Sequence, residues 1–229
     1  MNVLIDSYVS EVEHTKSECL QLLKDVRAAS SSEGETHHST FRLIATPMLY
    51  SAWERCFTLC HAIALRLMRE ATPSPSSLGV QARAVWLMRT TFYQSLMGKL
   101  QHLGSAESET RVKRGQFPAL CGFLKEFDKW SKEPLDRNIE TDELVMTFSN
   151  VNQSVVQLNA DAIGLSDISQ FKALSFARLD ELVGRRNDIG HGAIIKPPGE
   201  KDFLELWDFT EVLIGGYCDA VVVWMKQVI

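Results

Sequence analysis

LDELVGRRNDIGHG, at residues 179–192, is the stretch of the chain that decides the fold assignment. It sets two arginines, an amide, a carboxylate and a histidine among apolar residues, and its periodicity predicts a helix over residues 175–189. Gly190 and Gly192 flank His191, and glycine tolerates the backbone conformations that end helices. The pattern therefore predicts a helix that bends or ends close to the histidine.

Helical periodicity also dominates the chain on both sides of this stretch. No alternating apolar–polar pattern of useful length predicts a β-strand, and no internal repeat is present. Residues 136–147 fit neither a strand nor a helix clearly. The sequence therefore predicts an all-α fold, with helices over residues 3–29, from Pro47 to the breaker at Pro73, over 80–103, 117–130, 151–163 (capped by Ser149 or Asn150), 175–189 and 202–228.

The composition is that of a folded domain with an acidic balance. Of the 229 residues, 45% are hydrophobic and 23% are charged, so the chain can bury a core without disulfides or metals. A net charge of −5 excludes a general nucleic-acid coat, because phosphate binding needs clustered Lys and Arg. Positive charge is concentrated in two short runs, Arg111, Lys113 and Arg114 in the first and Arg185 and Arg186 in the second. The first run is interpreted as part of a solvated loop.

The cysteines and the apolar segments predict a cytoplasmic protein. The five cysteines are odd in number and widely spaced, so we expect free thiols in a reducing compartment. Asp6 interrupts the N-terminal segment too early for a signal peptide. The most apolar stretch, residues 212–225, contains Gly215, Gly216 and Asp219 and is shorter than the roughly 20 residues that a bilayer needs, so no membrane partner is expected.

Arg186, Asn187 and His191 could together supply the chemistry of metal-free RNA cleavage. The 2′-hydroxyl must lose a proton and the 5′-oxygen must gain one, and an imidazole titrates near neutrality. A guanidinium stays charged and offers a planar fork of donors to the phosphate oxygens, whose charge grows in the transition state. One arginine and one histidine aimed at a single phosphate are therefore a minimal ribonuclease site.

The spacing of these residues sets a geometric condition. Asn187 and His191 are four residues apart and share a helix face, whereas Arg186 lies five residues before His191, about 140° away at roughly 100° per residue. Arg186 and His191 therefore meet only if the helix ends near Gly190 or the long arginine side chain wraps around it. Assembly from two chains across a two-fold axis would also bring two motifs together. From the residue types alone, a surface or structural role stays open.

Several stretches resemble the HEPN superfamily, and in particular its MAE-type branch, also called RiboL-PSP-HEPN. RNDIGH, at residues 186–191, resembles the arginine-to-histidine motif of the superfamily, with Gly190 where alanine is frequent. Tyr50, Trp53 and Glu54 match the Y-x-x-W-E helix of the branch. Three further stretches also match the branch: FSNVN at 148–152, IGL at 163–165, and LDELV at 179–183, which precedes the arginine motif. All the matching stretches follow the same order along the chain as in the branch, so the resemblance covers residues 41–229.

This resemblance implies a HEPN-type helical bundle that pairs as a two-fold symmetric dimer. In such families the paired motifs form a composite RNase site at the interface, and cleavage is metal-independent and typically leaves a 2′,3′-cyclic phosphate. By position, Arg186 would bind the scissile phosphate, His191 would transfer protons or orient the 2′-hydroxyl, and Asn187 would hold the motif or contact phosphate. Members act as toxins, anti-phage effectors or RNA-processing factors. RNA, a second copy of the chain, and an antitoxin or regulatory protein are therefore the expected partners.

Glu54 and Arg185 each have a functional and a structural interpretation. Glu54 either orients His191 or pairs with Arg186, as acidic residues do in some HEPN sites, or it is an ordinary carboxylate on the surface of its helix. Arg185 either adds positive charge for RNA binding or is a solvated helix residue. Glu54 is taken as a supporting residue of the site and Arg185 as an RNA-binding residue.

Cys56, Cys60 and His61 are at helical spacing that can suit a metal ion. A zinc site requires about four ligands, however, and no partner pair such as C-x-x-C is present in the sequence. We therefore expect these residues to pack in the core, and we expect neither a metal nor a cofactor.

Two other functions fit the same sequence. The acidic net charge is compatible with a catalytically inactive HEPN-fold module for dimerisation or sensing, because the field of the whole protein gives RNA binding little help. Residues 1–40, a predicted helix and Ser-rich loop outside the resemblance, are expected to be part of the bundle or to pack on it, and could instead dock onto another protein. Cleavage of RNA by the purified chain would distinguish an endonuclease from the inactive module and from the partner-binding protein.

Overall fold

The computed structural model describes residues 2–31, 38–103, 116–193 and 196–228. Across these ranges every regular element is helical and no residue lies in a β-strand, which confirms the predicted all-α fold. None of the described helices has the length and apolarity needed to cross a membrane. In chain order the helices are α1 (Asn2–Ser31), α2 (His38–Ala71), α3 (Val80–Met88), α4 (Thr91–Leu103), α5 (Gln116–Trp130), α6 (Gln153–Ile163), α7 (Ser169–Lys172), α8 (Leu179–Gly190) and α9 (Glu200–Val228).

The chain divides into two compact units. The first unit combines both ends of the sequence, Met1–Leu67 and Val145–Ile229, and the second unit is Met68–Leu144. In the second unit, α4 packs on α5, and the rings of Phe92 and Phe123 have centroids 5.6 Å apart. All the residues that the sequence proposes for an RNase site belong to the first unit.

Aromatic side chains from α2 and α9 form the centre of the first unit. Trp53 and Phe57 of α2 pack against Tyr217 of α9, with ring centroids 5.6 and 5.5 Å from the tyrosine ring. All three are fully buried, and burying one such side chain stabilises the fold by about 2–3 kcal/mol. Helix α1 contacts α9, and its buried residues recur three or four apart, at Tyr8, Val12, Thr15, Cys19, Leu23 and Val26.

Helix α2 begins earlier than the sequence predicts. It starts at His38, so Pro47 lies inside the helix rather than in its first turn. An internal proline costs about 3 kcal/mol because it removes a backbone hydrogen bond. Ala45 and Leu49, four residues apart across the proline, are both fully buried, and burial of this helix face helps to offset the cost. Residues 32–37 of the predicted Ser-rich loop lie outside the described residues.

The single helix predicted over residues 80–103 is in fact two helices, α3 and α4. The break falls at Arg89 and Thr90, where the Thr90 hydroxyl accepts a hydrogen bond of 3.4 Å from the Tyr93 backbone N–H. The same hydroxyl donates to the Leu87 carbonyl at 2.7 Å. Such side-chain bonds compete with continuation of the helix, and apolar periodicity does not reveal them.

The turn before α6 contains left-handed backbone. Phe148 and Ser149 have φ of 44° and 71°, and the Asn150 N–H donates to the carbonyl three residues earlier at 2.9 Å, as in a type I′ turn. An N-cap residue needs extended backbone, which Asn152 has at φ −90° and ψ 178°. Asn152 therefore caps α6, its side chain accepting from the Val155 N–H, and the predicted cap at Ser149 or Asn150 is wrong.

Two further segments are less helical than the sequence pattern allows. Residues 136–147, for which the sequence left strand and helix open, contain turns and one short 3-10 helix, Asp142–Leu144. The helix predicted over residues 175–189 begins only at Leu179, where Arg178 with φ −111° and ψ 4° is the N-cap residue. The position of the other end of this helix, near His191, determines the geometry of the candidate site.

Candidate active site

Helix α8 ends directly before His191. The backbone of Gly192 is left-handed, with φ of 69°, and its N–H donates to the Ile189 carbonyl at 3.2 Å. The N–H of Ala193 donates to the Asp188 carbonyl at 3.1 Å, which completes the hydrogen-bond pair of a Schellman motif. His191 is therefore the C-cap residue, with φ −89° and ψ 3°, and its side chain is exposed. The predicted helix end close to the histidine is confirmed.

The Arg186 side chain is half-buried and is held by two neighbours. Its guanidinium carbon lies over the Tyr50 ring, 5.0 Å from the ring centroid, an arrangement that stabilises by about 0.5–1 kcal/mol or more. Its Nη1 donates a hydrogen bond of 2.9 Å to Oδ1 of Asn187. Among the described residues, no aspartate or glutamate forms an ion pair with this guanidinium. Most of its N–H donors are therefore free to bind an anion.

Tyr50 supports Arg186 from a fully buried position on α2. Its hydroxyl donates to Oε1 of Glu54 at 3.0 Å and accepts from the Val151 N–H at 2.8 Å. Burial raises the pKa of Tyr50 to about 12, and the hydrogen bond from Val151 opposes this shift only in part. The phenol therefore stays neutral near pH 7, and its hydroxyl contacts fix the ring that carries the arginine.

The backbone of Val151 is fixed on both sides by side chains of α2. Tyr50 accepts from its N–H, and Nε1 of Trp53 donates to its carbonyl at 3.1 Å. Tyr50 and Trp53 are three residues apart on one face of the helix, and both are fully buried. This is the physical reason for the tyrosine–tryptophan spacing noted in the sequence. The pair anchors the segment that leads into α6, and Tyr50 also positions Arg186.

Glu54 reaches the arginine only through Tyr50. Its carboxylate accepts the Tyr50 hydroxyl, and within the described part of the chain it makes no hydrogen bond or ion pair with Arg186 or His191. The direct contacts that the sequence suggested are thus not made inside one chain. Glu54 is placed instead as a positioning residue for the Tyr50 ring.

Arg185, next to Arg186 in the sequence, is bound in a network of ion pairs. Its Nε donates to Glu181 at 2.8 Å, and its Nη2 pairs with Asp202 at the start of α9. Arg178 binds the same two carboxylates at 2.8 and 2.6 Å and holds the pKa of Glu181 below its ordinary value. These contacts favour a structural role for Arg185 in joining α8 to α9. Its contact with RNA stays a prediction.

Arg186 and His191 both lie near the C-terminal end of α8, but no contact joins them. Arg186 is directed onto the Tyr50 ring, and no hydrogen bond between Arg186 and His191 is present in the described chain. Their convergence on one phosphate stays a prediction, and so does the second copy of the chain. The other basic run that the sequence analysis noted lies outside the described residues: Arg111, Lys113 and Arg114.

A cluster of buried thiols was not predicted from the sequence. Cys56 and Cys60 of α2 lie beside Cys218 of α9, whose Sγ is 3.4 and 3.6 Å from theirs. His61 takes another partner, since its Nδ1 lies 3.2 Å from the Tyr217 hydroxyl. Helical spacing relates Cys56 to Cys60, but only the packing of α2 side chains against α9 brings in Cys218. The Tyr50–Arg186 contact was missed for the same reason.

Comparison with known protein families supports the resemblance noted in the sequence. The model of the RiboL-PSP-HEPN family matches residues 10–222, which includes most of α1. The matched range contains each stretch that carried the resemblance, from Tyr50 to His191. The comparisons with curated proteins and with solved structures find no match.

Proposed function

Because the chain belongs to the RiboL-PSP-HEPN family, we propose that it is a metal-independent RNA endonuclease acting through Arg186 and His191. One observation carries this proposal. Arg186 keeps its guanidinium free of described carboxylates, whereas the neighbouring Arg185 is neutralised by Glu181 and Asp202. A phosphate oxygen can therefore take up the donors that Arg186 leaves unused.

Arg186 is the group proposed to bind the scissile phosphate. The Tyr50 ring and the Asn187 side chain restrict the guanidinium before substrate arrives, so less conformational entropy is lost on binding. As the 2′-oxygen attacks phosphorus, negative charge grows on the phosphate oxygens, and a fixed cation stabilises that charge more than it stabilises the ground state. Removal of one such donor typically lowers a rate by about 100- to 1,000-fold.

His191 is the group proposed to move protons. One imidazole accepts the 2′-hydroxyl proton, the 2′-oxygen bonds to phosphorus, and the 5′-oxygen leaves with a proton supplied by an acid. The products are a 2′,3′-cyclic phosphate and a 5′-hydroxyl, with no net redox change. A neutral base and a protonated acid are needed at once, and a second His191 from a two-fold related copy would supply the other role.

Two substitutions and two matched controls test the assignment. Arg186→Ala and His191→Ala are each expected to lower RNA cleavage by at least about 100-fold without loss of folding. Arg137→Ala and His14→Ala remove the same side-chain types at exposed positions outside the proposed site and are expected to cleave like the wild type. Full activity in both site variants contradicts the proposal.

The substrate supplies an independent test of the reaction. An oligonucleotide with a single 2′-deoxy residue at the cleavage position lacks the attacking oxygen, so it should remain intact while the all-ribose strand is cut. Cleavage should continue when excess chelator removes free divalent ions from the assay, since protons and charge are supplied by side chains. A wild-type protein that folds but never cleaves RNA would favour the inactive dimerisation or sensing module instead.

The two-fold composite site has its own measurement. Light scattering should give a dimer, and heterodimers purified with two tags should pair a wild-type chain with one that carries both Arg186→Ala and His191→Ala. If the site needs both motifs, such a heterodimer is inactive. Activity near half that of the wild-type dimer would mean that each chain works alone and would contradict the composite site.

The proposed cellular role is that of a toxin or an antiviral defence effector acting on RNA in a reducing cytoplasm. Support comes from the family and from the five free cysteines. An antitoxin or regulatory protein is the expected partner. Induced expression of the wild type should arrest growth, and expression of His191→Ala to the same level should not. Equal growth arrest by both would argue against a nuclease toxin.

A further inference from the structure

Three buried thiols meet between α2 and α9. The Sγ atoms of Cys56, Cys60 and Cys218 all lie within 4.8 Å of one another, and each of these residues is fully buried. The two shortest separations are 3.4 Å between Cys56 and Cys218 and 3.6 Å between Cys60 and Cys218. Three sulfur atoms therefore share one small region of the first unit.

A fourth thiol comes from α1. Cys19 is almost fully buried and lies near Cys56, although its sulfur is not one of the three that all lie within 4.8 Å of one another. Four cysteines on three helices thus form one group, which we call the cysteine cluster: Cys19, Cys56, Cys60 and Cys218. The fifth cysteine, Cys121, is half-buried in the second unit.

The sulfur separations are close to those of a metal site. With zinc–sulfur bonds of about 2.3 Å, the edge of a tetrahedron of four sulfurs is about 3.8 Å. The observed 3.4 and 3.6 Å, which relate Cys56, Cys60 and Cys218, therefore need to open by only a few tenths of an ångström, and the Cys19 sulfur would move inward to complete the tetrahedron. A disulfide would instead require two sulfurs to close to about 2.05 Å, a movement of more than about 1 Å, and it would use only two of the four thiols.

We propose that Cys19, Cys56, Cys60 and Cys218 bind one Zn²⁺ ion in a tetrahedral site. All four ligands come from buried side chains of the protein, so no position is left for water or substrate. Such closed, four-thiolate sites are structural rather than catalytic. Here the ion would join α1, α2 and α9, in addition to their apolar packing and to polar contacts such as Lys16–Asp219 and His61–Tyr217.

Metal content is the direct test. The full-length chain, expressed with zinc and purified under reducing conditions, should contain one zinc per chain by mass spectrometry of the metal. Replacement by Co²⁺ should give the intense thiolate-to-cobalt absorption and the visible bands of tetrahedral coordination. Cys60→Ser and Cys218→Ser should lose more than about 100-fold in zinc affinity, because even the loss of a residue that only supports a ligand typically costs about 10- to 100-fold. The matched control, Cys121→Ser, should keep wild-type content and affinity.

A second measurement covers variants that fail to fold. In the wild-type chain, a thiol reagent that titrates the cysteines should release zinc in proportion to the thiols modified, and added zinc should raise the Tm of the stripped protein. Any one of four results would overturn the proposal. The stripped wild-type protein takes up no zinc, Cys121→Ser loses as much zinc as the cluster variants, the protein binds Cu⁺ but not zinc, or the freshly purified protein contains a Cys56–Cys218 disulfide. These readouts do not depend on RNA cleavage, so the zinc site and the nuclease can fail separately.

Discussion

Gly190→Ala and Gly192→Ala are expected to change stability in opposite directions, although only His191 separates the two positions. A Cβ built at either glycine meets no atom within 4 Å, so contacts with neighbours do not distinguish them. The backbone does, because Gly190 is the last residue of α8 whereas Gly192 is left-handed, with φ of 69°. Alanine should therefore stabilise the fold relative to glycine at position 190 and destabilise it at position 192.

The magnitudes follow from these two conformations. Alanine in helical backbone is about 0.5–1 kcal/mol better than glycine, since glycine loses more conformational freedom on folding. Left-handed backbone costs a residue with a Cβ about 1–2 kcal/mol. The two variants should therefore differ by about 2 kcal/mol in free energy of unfolding. For a chain of this size that corresponds to a difference in Tm of about 4–8 °C.

Urea denaturation followed by circular dichroism and by tryptophan fluorescence measures this difference. The two probes should give coincident transitions with unchanged m values, because the first and second units could otherwise unfold separately. RNA cleavage gives a second readout. Gly192→Ala should lose activity beyond the unfolded fraction, since it disturbs the C-cap that places His191, whereas Gly190→Ala should stay active. Equal signs for the two stability changes would refute the assignment of Gly192 to the Schellman position.

Three further predictions concern the supports of the site. Tyr50→Phe keeps the ring under the arginine but leaves the buried Val151 N–H without its acceptor. Urea denaturation should therefore show that the free energy of unfolding falls by about 1–3 kcal/mol. An unchanged free energy of unfolding would mean that this hydrogen bond contributes nothing to stability. Asn152→Ala should cost about 1 kcal/mol through loss of the α6 N-cap, and Asn152→Ser should restore most of it; equal effects of both would exclude capping. Arg178 lowers the pKa of Glu181, so the ion pair stabilises the fold only while this carboxylate is ionised. Arg178→Ala should therefore lower Tm at neutral pH, and the decrease should become smaller as the pH falls below about 4.5. A decrease in Tm that is independent of pH would contradict this origin.

Helical periodicity predicted the fold class and most helix positions, but it failed where one polar side chain or one proline decided a boundary. Thr90 divides a continuous apolar stripe into two helices, and the stripe itself carries no sign of the break. Pro47 marked a helix start in the sequence, yet burial on both sides of it keeps α2 continuous. Boundaries depend on contacts and hydrogen bonds that a one-dimensional pattern does not contain.

The candidate site was predicted in part for a similar reason. The helix end at His191 followed from two glycines in one local stretch, and local backbone chemistry is visible in the sequence. The partners of the two arginines were not visible. Arg185 and Arg186 are adjacent and chemically identical, yet one is neutralised by Glu181 and Asp202 and the other lies on an aromatic ring. Which arginine can bind phosphate is decided by the packing of α2, α8 and α9.

Helix α2 connects the two proposals. It carries Tyr50, which holds Arg186, and about two to three turns later it carries Cys56 and Cys60 of the cysteine cluster. A zinc ion that joins these thiols to Cys218 would fix α2 relative to α9 and so restrict the Tyr50 ring. Misplacement of a positioning group by about 1 Å can cost about 100-fold in rate. The chemistry itself would still be metal-independent, because four thiolates leave the ion no open position at which RNA could bind.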